Sequence, residues 1–283
     1  MRVFVTGING FLGSEFCDEL QSAGAEVIGS SHFPTGPNQQ RWNISDHLPA
    51  GVLKNVDCLI HCAHLFDVGS EEINYRASAD LFEESKKENV KKIIFISSFS
   101  ARPDAISEYG KTKFRIEELA LRHGGIVIRP GLVVGLGGIF RKNMISILRF
   151  PIIPVLVPAV VLPIVSIQNL RELIRVVVFR DTVSEINCFN SEVVPLRDFI
   201  VAIRKRAGKK TLLFPIFESI VLKFLGLVKI LHIPFPVKID NFYGAKMNSD
   251  GFHESNMSDY VAQIDSIDEM IDSAYEKFVT TGK

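Results

Sequence analysis

The chain has 283 residues, 47% hydrophobic and 23% charged, with Lys+Arg equal to Asp+Glu at 32 each. That balance leaves no net field to draw in nucleic acid or anionic membranes, so any anion recognition must be local. The length allows one large α/β domain or one domain with a smaller lobe, and Cys17, Cys58, Cys62 and Cys188 lack the spacing of a disulfide framework or a zinc site.

Met1-Arg2 runs directly into an apolar strand, Val3 to Val5, which leaves no room for a signal peptide and makes the reducing cytoplasm the expected location. The strand breaks at Thr6-Gly7, and an amphipathic helix follows from Phe11 to Ala23. Gly7, Gly10 and Gly13 sit on that junction with the spacing G-x-x-G-x-x-G. A parallel strand turning tightly into a helix aims the helix's first N–H groups at an anion. Gly7 permits the turn, Gly10 admits a diphosphate to the backbone, and Gly13 lets the helix lie close to the sheet. The stretch reads as a dinucleotide site.

Glu26 to Ser30 is a second strand, ending Gly29-Ser30-Ser31-His32, and Phe33 to Gln40 is a loop. Val56 to Cys62 is a third, continuously apolar strand, Ile73 to Glu88 a helix, and Lys92 to Ser97 a fourth strand. Ser107 to Arg122 is a helix, and Gly125 to Arg129 a fifth strand ending at Pro130-Gly131. This β-α alternation predicts a doubly wound parallel sheet whose strand ends converge on one edge. Beyond Gly138 the rhythm changes. Arg141 to Phe150 reads as helix, Phe150 to Val165 as a proline-rich apolar run, Leu170 to Phe179 as helix and Ile186 to Asn190 as strand. Helices are expected again over Pro195 to Ala207 and Ile267 to Val279. Residues 1–140 are therefore read as the dinucleotide-binding core and 141–283 as mainly a substrate lobe.

Two apolar stretches fail as membrane spans. Phe150 to Val165 carries four prolines, and Ile216 to Leu231 is short and interrupted by Glu218, Lys223 and Lys229. The second has apolar residues at helical spacing, expected as a helix on the core or over a substrate pocket, with an interfacial membrane helix as the minor alternative. No metal site is expected, because strand geometry would splay His61 and His64 to opposite faces.

The chemistry sits between Phe95 and Lys113. Tyr109 and Lys113 are four apart at the start of a helix and project from one face. An ammonium beside a phenol lowers its pKa, and a phenol so tuned can pass a proton to or from a hydroxyl or carbonyl oxygen. A serine at the neighbouring strand end can hydrogen-bond the same oxygen.

With Thr6-Gly7-x-x-Gly10-x-x-Gly13, the serine after the fourth strand and Tyr109-x-x-x-Lys113 in one chain, the sequence resembles the extended short-chain dehydrogenase/reductase family. Many members are nucleotide-sugar epimerases, dehydratases and 4-keto reductases. The likeness continues through Asp57 to His64, Asn74, Arg129 to Gly135 and Asn187 to Asn190. It implies a Rossmann-type fold with a small C-terminal substrate lobe. It also implies Tyr109 as acid/base, Lys113 on the nicotinamide ribose, and Ser98 orienting the substrate oxygen, with Ser100 as a substitute.

The resemblance further places Gly7, Ile8, Asn9, Gly10, Phe11, Leu12 and Gly13 on the diphosphate, and Cys62, Ala63 and His64 along the adenosine–ribose side. Ser97 and the run Pro130, Gly131 and Val133 would pass by the nicotinamide, and Asn43-Ile44 would contact adenine. Ser98, Phe99, Ser100, Tyr109 and Gly131 are the expected substrate contacts. Ser30, Ser31 and His32 close strand two without a carboxylate, which leans the cofactor slightly from NAD towards NADP. The Thr-Asp-Glu pattern of dehydratases is absent at Ser98-Phe99-Ser100. The expected activity is 4-epimerisation or 4-keto reduction of a nucleotide-linked sugar by an NAD(P)-dependent enzyme. The alternatives are a reductase of an apolar alcohol or ketone, and a non-catalytic dinucleotide-binding protein. The resemblance implies a homodimer through the helices Ile73–Glu88 and Ser107–Arg122, with Ala77, Leu81, Phe82, Phe114, Leu119 and Ala120 as candidate contacts.

Overall fold

The computed structural model describes residues 1–157, 159–217, 219–221, 223 and 252–281. Its centre is a seven-stranded parallel sheet, formed in chain order by β1 (Arg2–Thr6), β2 (Glu26–Ser31), β3 (Gln39–Arg41), β4 (Cys58–His61), β5 (Lys92–Ile96), β6 (Ile126–Pro130) and β11 (Glu185–Cys188). The spatial order is β11-β6-β5-β4-β1-β2-β3, and every neighbouring pair is parallel. Connections run one way from β1 through β2 to β3 and the other way from β4 onwards. The order therefore reverses at β1 and β4, where such sheets open a crevice at the strand ends.

The strands read as unbroken apolar runs because both faces are covered. Val3 and Val5 pack towards α1 (Phe11–Ser22) and α5 (Ile167–Phe179), while Phe4 between them packs towards α2 (Glu71–Lys87) and α3 (Glu108–Arg122). Ile94 and Ile96 against Ile93 and Phe95 repeat the alternation, as do Ile126 and Ile128 against Val127.

The second half adds β7 (Leu132–Val134), α4 (Gly138–Arg149), β8 (Ile152–Val157), β9 (Val161–Leu162), β10 (Ile164–Ser166), β12 (Val194–Pro195), α6 (Leu196–Arg206), β13 (Leu212–Phe217) and a closing helix α7 (Ile267–Thr281). The proline-rich run, to which the sequence assigns no element, holds β8, β9 and β10. β8 pairs in parallel with β13, which takes the place of the expected start of a helix at Ile216. Among the described residues this ribbon has two strands and both are edges, so Pro154 and Pro215 are tolerated there. The rest of the expected Ile216–Leu231 helix lies largely outside the described residues. A second cluster, with Phe140, Met144, Phe199, Ile203 and Ile271, ties α4, α6 and α7 together.

β3 is a further departure from the expected loop. It follows β2 without a helix and pairs through Ser31 with Arg41. Residues 252–257 strap the outer edge of β11. There the Asn187 N–H donates to Asn256 Oδ1 at 2.8 Å, the Asn187 carbonyl accepts the Asn256 N–H at 3.3 Å, and Asn187 Nδ2 donates to the Glu254 carbonyl at 2.8 Å. Of the candidate dimer contacts, Leu81, Phe82, Leu119 and Ala120 are buried within the chain against its own sheet, and Ala77 is buried against Trp42 and Ile44. Phe114 is half-buried. Among the described residues no helix is long and apolar enough to cross a membrane.

Candidate functional site

The glycine turn closes at the switch point between β1 and β4. Gly7 has φ +69, and a Cβ there would stand 3.2 Å from the Ala63 Cα, so the turn after β1 lies directly on the turn after β4. Gly10 N–H donates to the Gly7 carbonyl at 2.8 Å, and Gly10 then serves as N-cap of α1 with no side-chain hydrogen bond. The first turn of α1 contains no acidic residue. Its free N–H groups and the helix dipole therefore face the crevice unneutralised. A Cβ on Gly10 would meet only the Gly7 carbonyl oxygen within 4 Å, so backbone is presented there without side-chain cover. This cradle fits the diphosphate of a dinucleotide.

A buried hydrogen-bonded chain anchors the same two turns. Thr6 Oγ1 accepts the N–H groups of Cys62 and Ala63, both at 3.1 Å, and is 2.7 Å from His61 Nδ1. His61 Nε2 lies 2.9 Å from Ser78 Oγ, which itself donates to the Asn74 carbonyl at 2.7 Å. Ser78 is therefore an acceptor towards His61, which puts the imidazole proton on Nε2 and makes Thr6 the donor to Nδ1. Burial, with the charge of Lys113 adding to it, lowers the His61 pKa to about 3, so the ring is neutral. The sequence places His61 in the third strand and gives it no role beyond a metal site that strand geometry rules out. Its tie to Thr6 needs the parallel register Thr6↔His61, which no local pattern reveals.

The remaining candidates divide between the crevice and the interior. Ile8 is buried, its N–H donating to the Ser30 carbonyl at 3.1 Å. Asn9 reaches the β2–β3 loop, donating to the Phe33 carbonyl at 2.7 Å. Leu12 is partly buried against the sheet core. Phe11 is turned onto the glycines before α4, where a Cβ on Gly137 would overlap its ring at 2.0 Å. Ser30 is buried with an unpartnered hydroxyl, Ser31 is half-buried, and His32 is exposed against Phe33. Asn43 caps its own turn by accepting the Ser45 N–H at 3.3 Å, and Ile44 packs with Trp42 and Ala77 near Ala63. Ser97 is buried, with its N–H on the Ile128 carbonyl at 2.8 Å. Pro130 accepts the Phe99 N–H at 3.0 Å, Gly131 lies so close to Pro163 that a Cβ would be 2.4 Å from its carbonyl oxygen, and Val133 pairs with Val165. Phe99 is enclosed by Phe189 and His253, at centroid distances of 4.8 and 5.3 Å, and presents no open face. His253, on the strap, was not among the sequence candidates.

Ser98, Tyr109 and Lys113 come together. Ser107 caps α3 by accepting the Gly110 N–H at 3.1 Å. Gly110 is packed so tightly that a Cβ would lie 2.4 Å from the Ser100 carbonyl oxygen. That contact brings the start of α3 onto the turn after β5, and the Tyr109 hydroxyl hydrogen-bonds Ser98. Ser98 Oγ also accepts the Ser100 N–H at 3.2 Å. Lys113 is buried, donating to the Ile96 carbonyl at 2.9 Å, with its Nζ 4.7 Å from the Phe95 ring centre.

The pKa expected of Tyr109 is reversed. Burial pushes the phenol above its ordinary value, and the bond with Ser98 only partly offsets this. The reason is geometric: Lys113 is committed to the end of β5. Burial lowers the lysine itself to about 8, with Cys62 and Glu117 pulling the other way. His64 and Phe66 stand over Tyr109 at 5.2 and 5.8 Å between ring centres, the Phe66 ring stacked on the phenol and 72% exposed. His64 is held neutral, lowered to about 2 by burial with Lys113 adding to it. Behind α3, Arg129 bridges Glu117 at 2.7 Å and Glu185 at 2.6 Å, locking α3 to β6 and β11. Among the described residues no group of three or more His, Cys, Asp or Glu could hold a metal ion.

The sequence model of the NAD dependent epimerase/dehydratase family matches residues 3–143, the part that carries both the glycine turn and the Tyr109–Lys113 helix. No curated protein matches the chain. Among solved structures, UDP-glucose 4-epimerase from Thermotoga maritima, with UDP-glucose, superposes with a TM-score of 0.75 at 19% identity, covering 100% of each chain. UDP-N-acetylglucosamine 4-epimerase from Methanobrevibacter ruminantium M1, in complex with UDP-N-acetylmuramic acid, gives 0.74 at 18% identity, covering 100% of this chain and 99% of that one. MoeE5 in complex with UDP-glucuronic acid and NAD gives 0.76 at 16% identity, covering 99% of this chain and 100% of that one. At these identities the structures establish a shared Rossmann-type fold.

Proposed function

We propose, from the membership of residues 3–143 in the NAD dependent epimerase/dehydratase family, that the chain is an NAD(P)-dependent enzyme acting on a nucleotide-linked sugar, as a 4-epimerase or a 4-keto reductase. The observation that carries this reading is the meeting of Tyr109 with Ser98, above buried Lys113, on the sheet edge that holds the glycine turn. Gly7 to Gly13 would hold the diphosphate and Lys113 the ribose next to the nicotinamide. When bound, the nicotinamide supplies or takes up the hydride. Ser98 hydrogen-bonds the reacting oxygen, and Tyr109 gives or takes its proton. A phenol held neutral by burial suits the donating direction.

The cofactor lean towards NADP gains a residue. Arg41 lies in register with Ser31 at the end of β2 and is exposed, so a guanidinium accompanies Ser30, Ser31 and His32. Residues 141–283 are read as the substrate lobe. A homodimer through α2 and α3 would use residues that are only half-buried, such as Phe114, since Leu81, Phe82, Leu119 and Ala120 are spent on the sheet. A second reading, a reductase of an apolar ketone, draws on the exposed Phe66 ring stacked on Tyr109. Saturable binding of a UDP- or dTDP-sugar in calorimetry would remove it.

The test is mass spectrometry of the dinucleotide released on denaturation, followed by kinetics of Tyr109→Phe. Stoichiometric NAD favours the epimerase, and an empty protein that binds NADPH favours the reductase. Tyr109→Phe is expected to lower kcat by a factor of about 100 or more. No bound or bindable dinucleotide, or full activity in Tyr109→Phe, would overturn the reading.

A further inference from the structure

The chain's zero net charge hides a segregation of charge. No Asp or Glu occurs from Leu119 to Arg171, nor from Phe199 to Phe217, although Arg141, Lys142, Arg149, Arg204, Lys205, Arg206, Lys209 and Lys210 fall in these stretches. The fold brings the two stretches together. Arg204 is buried and donates to the Ile147 and Phe150 carbonyls, both at 2.7 Å, and Lys209 Nζ donates to the Leu148 carbonyl at 2.7 Å. The turn before β13 is thus fastened to the end of α4, immediately before β8.

From that junction β8 and β13 run side by side as a two-stranded parallel ribbon, with Leu212 opposite Ile152, Phe214 opposite Pro154 and Ile216 opposite Leu156. One face of the ribbon meets the core through Ile153, Val155 and Leu213. The other carries Ile152, Leu212 and Phe214, exposed at 54%, 61% and 59%. At the strand starts stand exposed Arg149, Phe150, Lys209 and Lys210. An all-apolar outer face bordered at one end by cations is unusual for surface that meets only water.

We propose that the outer face of the β8–β13 ribbon docks the protein peripherally on an anionic lipid bilayer. The apolar side chains would enter the boundary between headgroups and acyl chains, and Arg149, Lys209 and Lys210 would meet the phosphate layer. Charge selects this occupant. In an isologous pairing each copy offers the same surface, and these stretches contain no carboxylate to match Arg149, Lys209 and Lys210, whereas Arg206 is already paired with Asp268 and Asp272 of α7. The sequence just beyond the ribbon keeps the same character. From Glu218 to Lys238 it adds Lys223, Lys229 and Lys238, with Glu218 the only acidic residue.

The test is co-flotation of the whole chain with vesicles of phosphatidylcholine, with and without phosphatidylglycerol, at low and high salt. Binding to the anionic vesicles is expected to be stronger by about tenfold or more, and to weaken with salt. Leu212→Ser with Phe214→Ser should abolish it, and Arg149→Glu with Lys210→Glu should reduce it by about tenfold. All four residues are exposed, so thermal midpoint and dinucleotide binding should stay at wild-type values in both variants. Equal binding to neutral vesicles, or undiminished binding by the ribbon variant, would overturn the proposal. So would binding lost only in Lys223→Glu with Lys229→Glu, which would assign the contact to the segment after the ribbon. A wild-type dimer that becomes monomeric with Leu212→Ser and Phe214→Ser, and does not float, would assign the face to a second copy instead.

Discussion

A Cβ added to Gly13 would stand 2.2 Å from the carbonyl oxygen of Gly7, so the first turn of α1 rests directly on the turn that precedes it. No side chain fits between them. Gly13→Ala must push the helix off the sheet, at a cost of about 1–3 kcal/mol. Gly10→Ala meets the same oxygen at 3.0 Å and disturbs the fold less, but puts a methyl group where the diphosphate would approach. The expected result is a lowered melting temperature in Gly13→Ala and lost dinucleotide binding in both, read by calorimetry and by NAD(P)H fluorescence. Normal binding by Gly10→Ala would refute the cradle.

Thr6→Val keeps the shape of the side chain but removes the acceptor of two N–H groups and the donor to His61 Nδ1. A buried polar group left without its partner costs about 1–3 kcal/mol, so a loss of about 3 kcal/mol in urea unfolding is expected. A change below about 1 kcal/mol would mean that water replaces the hydroxyl.

Gly110→Ala tests how Tyr109 is aimed. The new Cβ would collide with the Ser100 carbonyl, and relief of that contact moves Tyr109 away from Ser98. A fall in kcat of about tenfold or more, with dinucleotide affinity kept, is the expected signature of misplacement at the reacting oxygen. An unchanged kcat would show that the loop gives way instead.

Lys113 provides a pH-dependent signal. Burial lowers its pKa from 10.5 to about 8 in the folded chain. Between those values the unfolded chain holds the proton that the folded chain has released, so this group makes stability rise with pH across that window. Lys113→Met removes the rise. Urea unfolding of both proteins from neutral to alkaline pH should show curves that differ in slope, by up to about 3 kcal/mol over the window. Parallel curves would place the lysine in a more polar setting than its hydrogen bond to Ile96 implies.

Arg41→Ala is expected to weaken NADPH binding by about tenfold or more and to leave NADH binding unchanged. Equal loss for both would show that Arg41 supports the fold of β3 rather than a 2′-phosphate.

The first half of this architecture was legible because its signals are local. Val3 to Gly13 encodes a strand, a turn and a helix within one short stretch, and Tyr109 and Lys113 share a face by helical spacing alone. What escaped depends on register between distant segments. β8 and β13 are separated by α5 and α6, and prolines at 154 and 215 keep both stretches from reading as strands. Arg41 becomes a neighbour of Ser31 only through β3, which is three residues long. The tie between Thr6 and His61, and the stacking of Phe66 on Tyr109, need the parallel order of strands and the path of the following loops. The pKa of Tyr109 shows the same limit. The i, i+4 spacing placed Lys113 nearby, while the carbonyl that captures its ammonium belongs to another element.

The strap over β11 has a consequence for how the protein behaves in a crowded solution. A bare outermost strand is a template on which another extended chain can add itself, and such accretion is a common route to fibrils. At one side of the sheet, Asn187 has both its backbone groups occupied by Asn256. At the other, β3 offers only the three residues Gln39–Arg41. The seven strands therefore form a closed set, with little purchase at either margin for a passing chain to extend them.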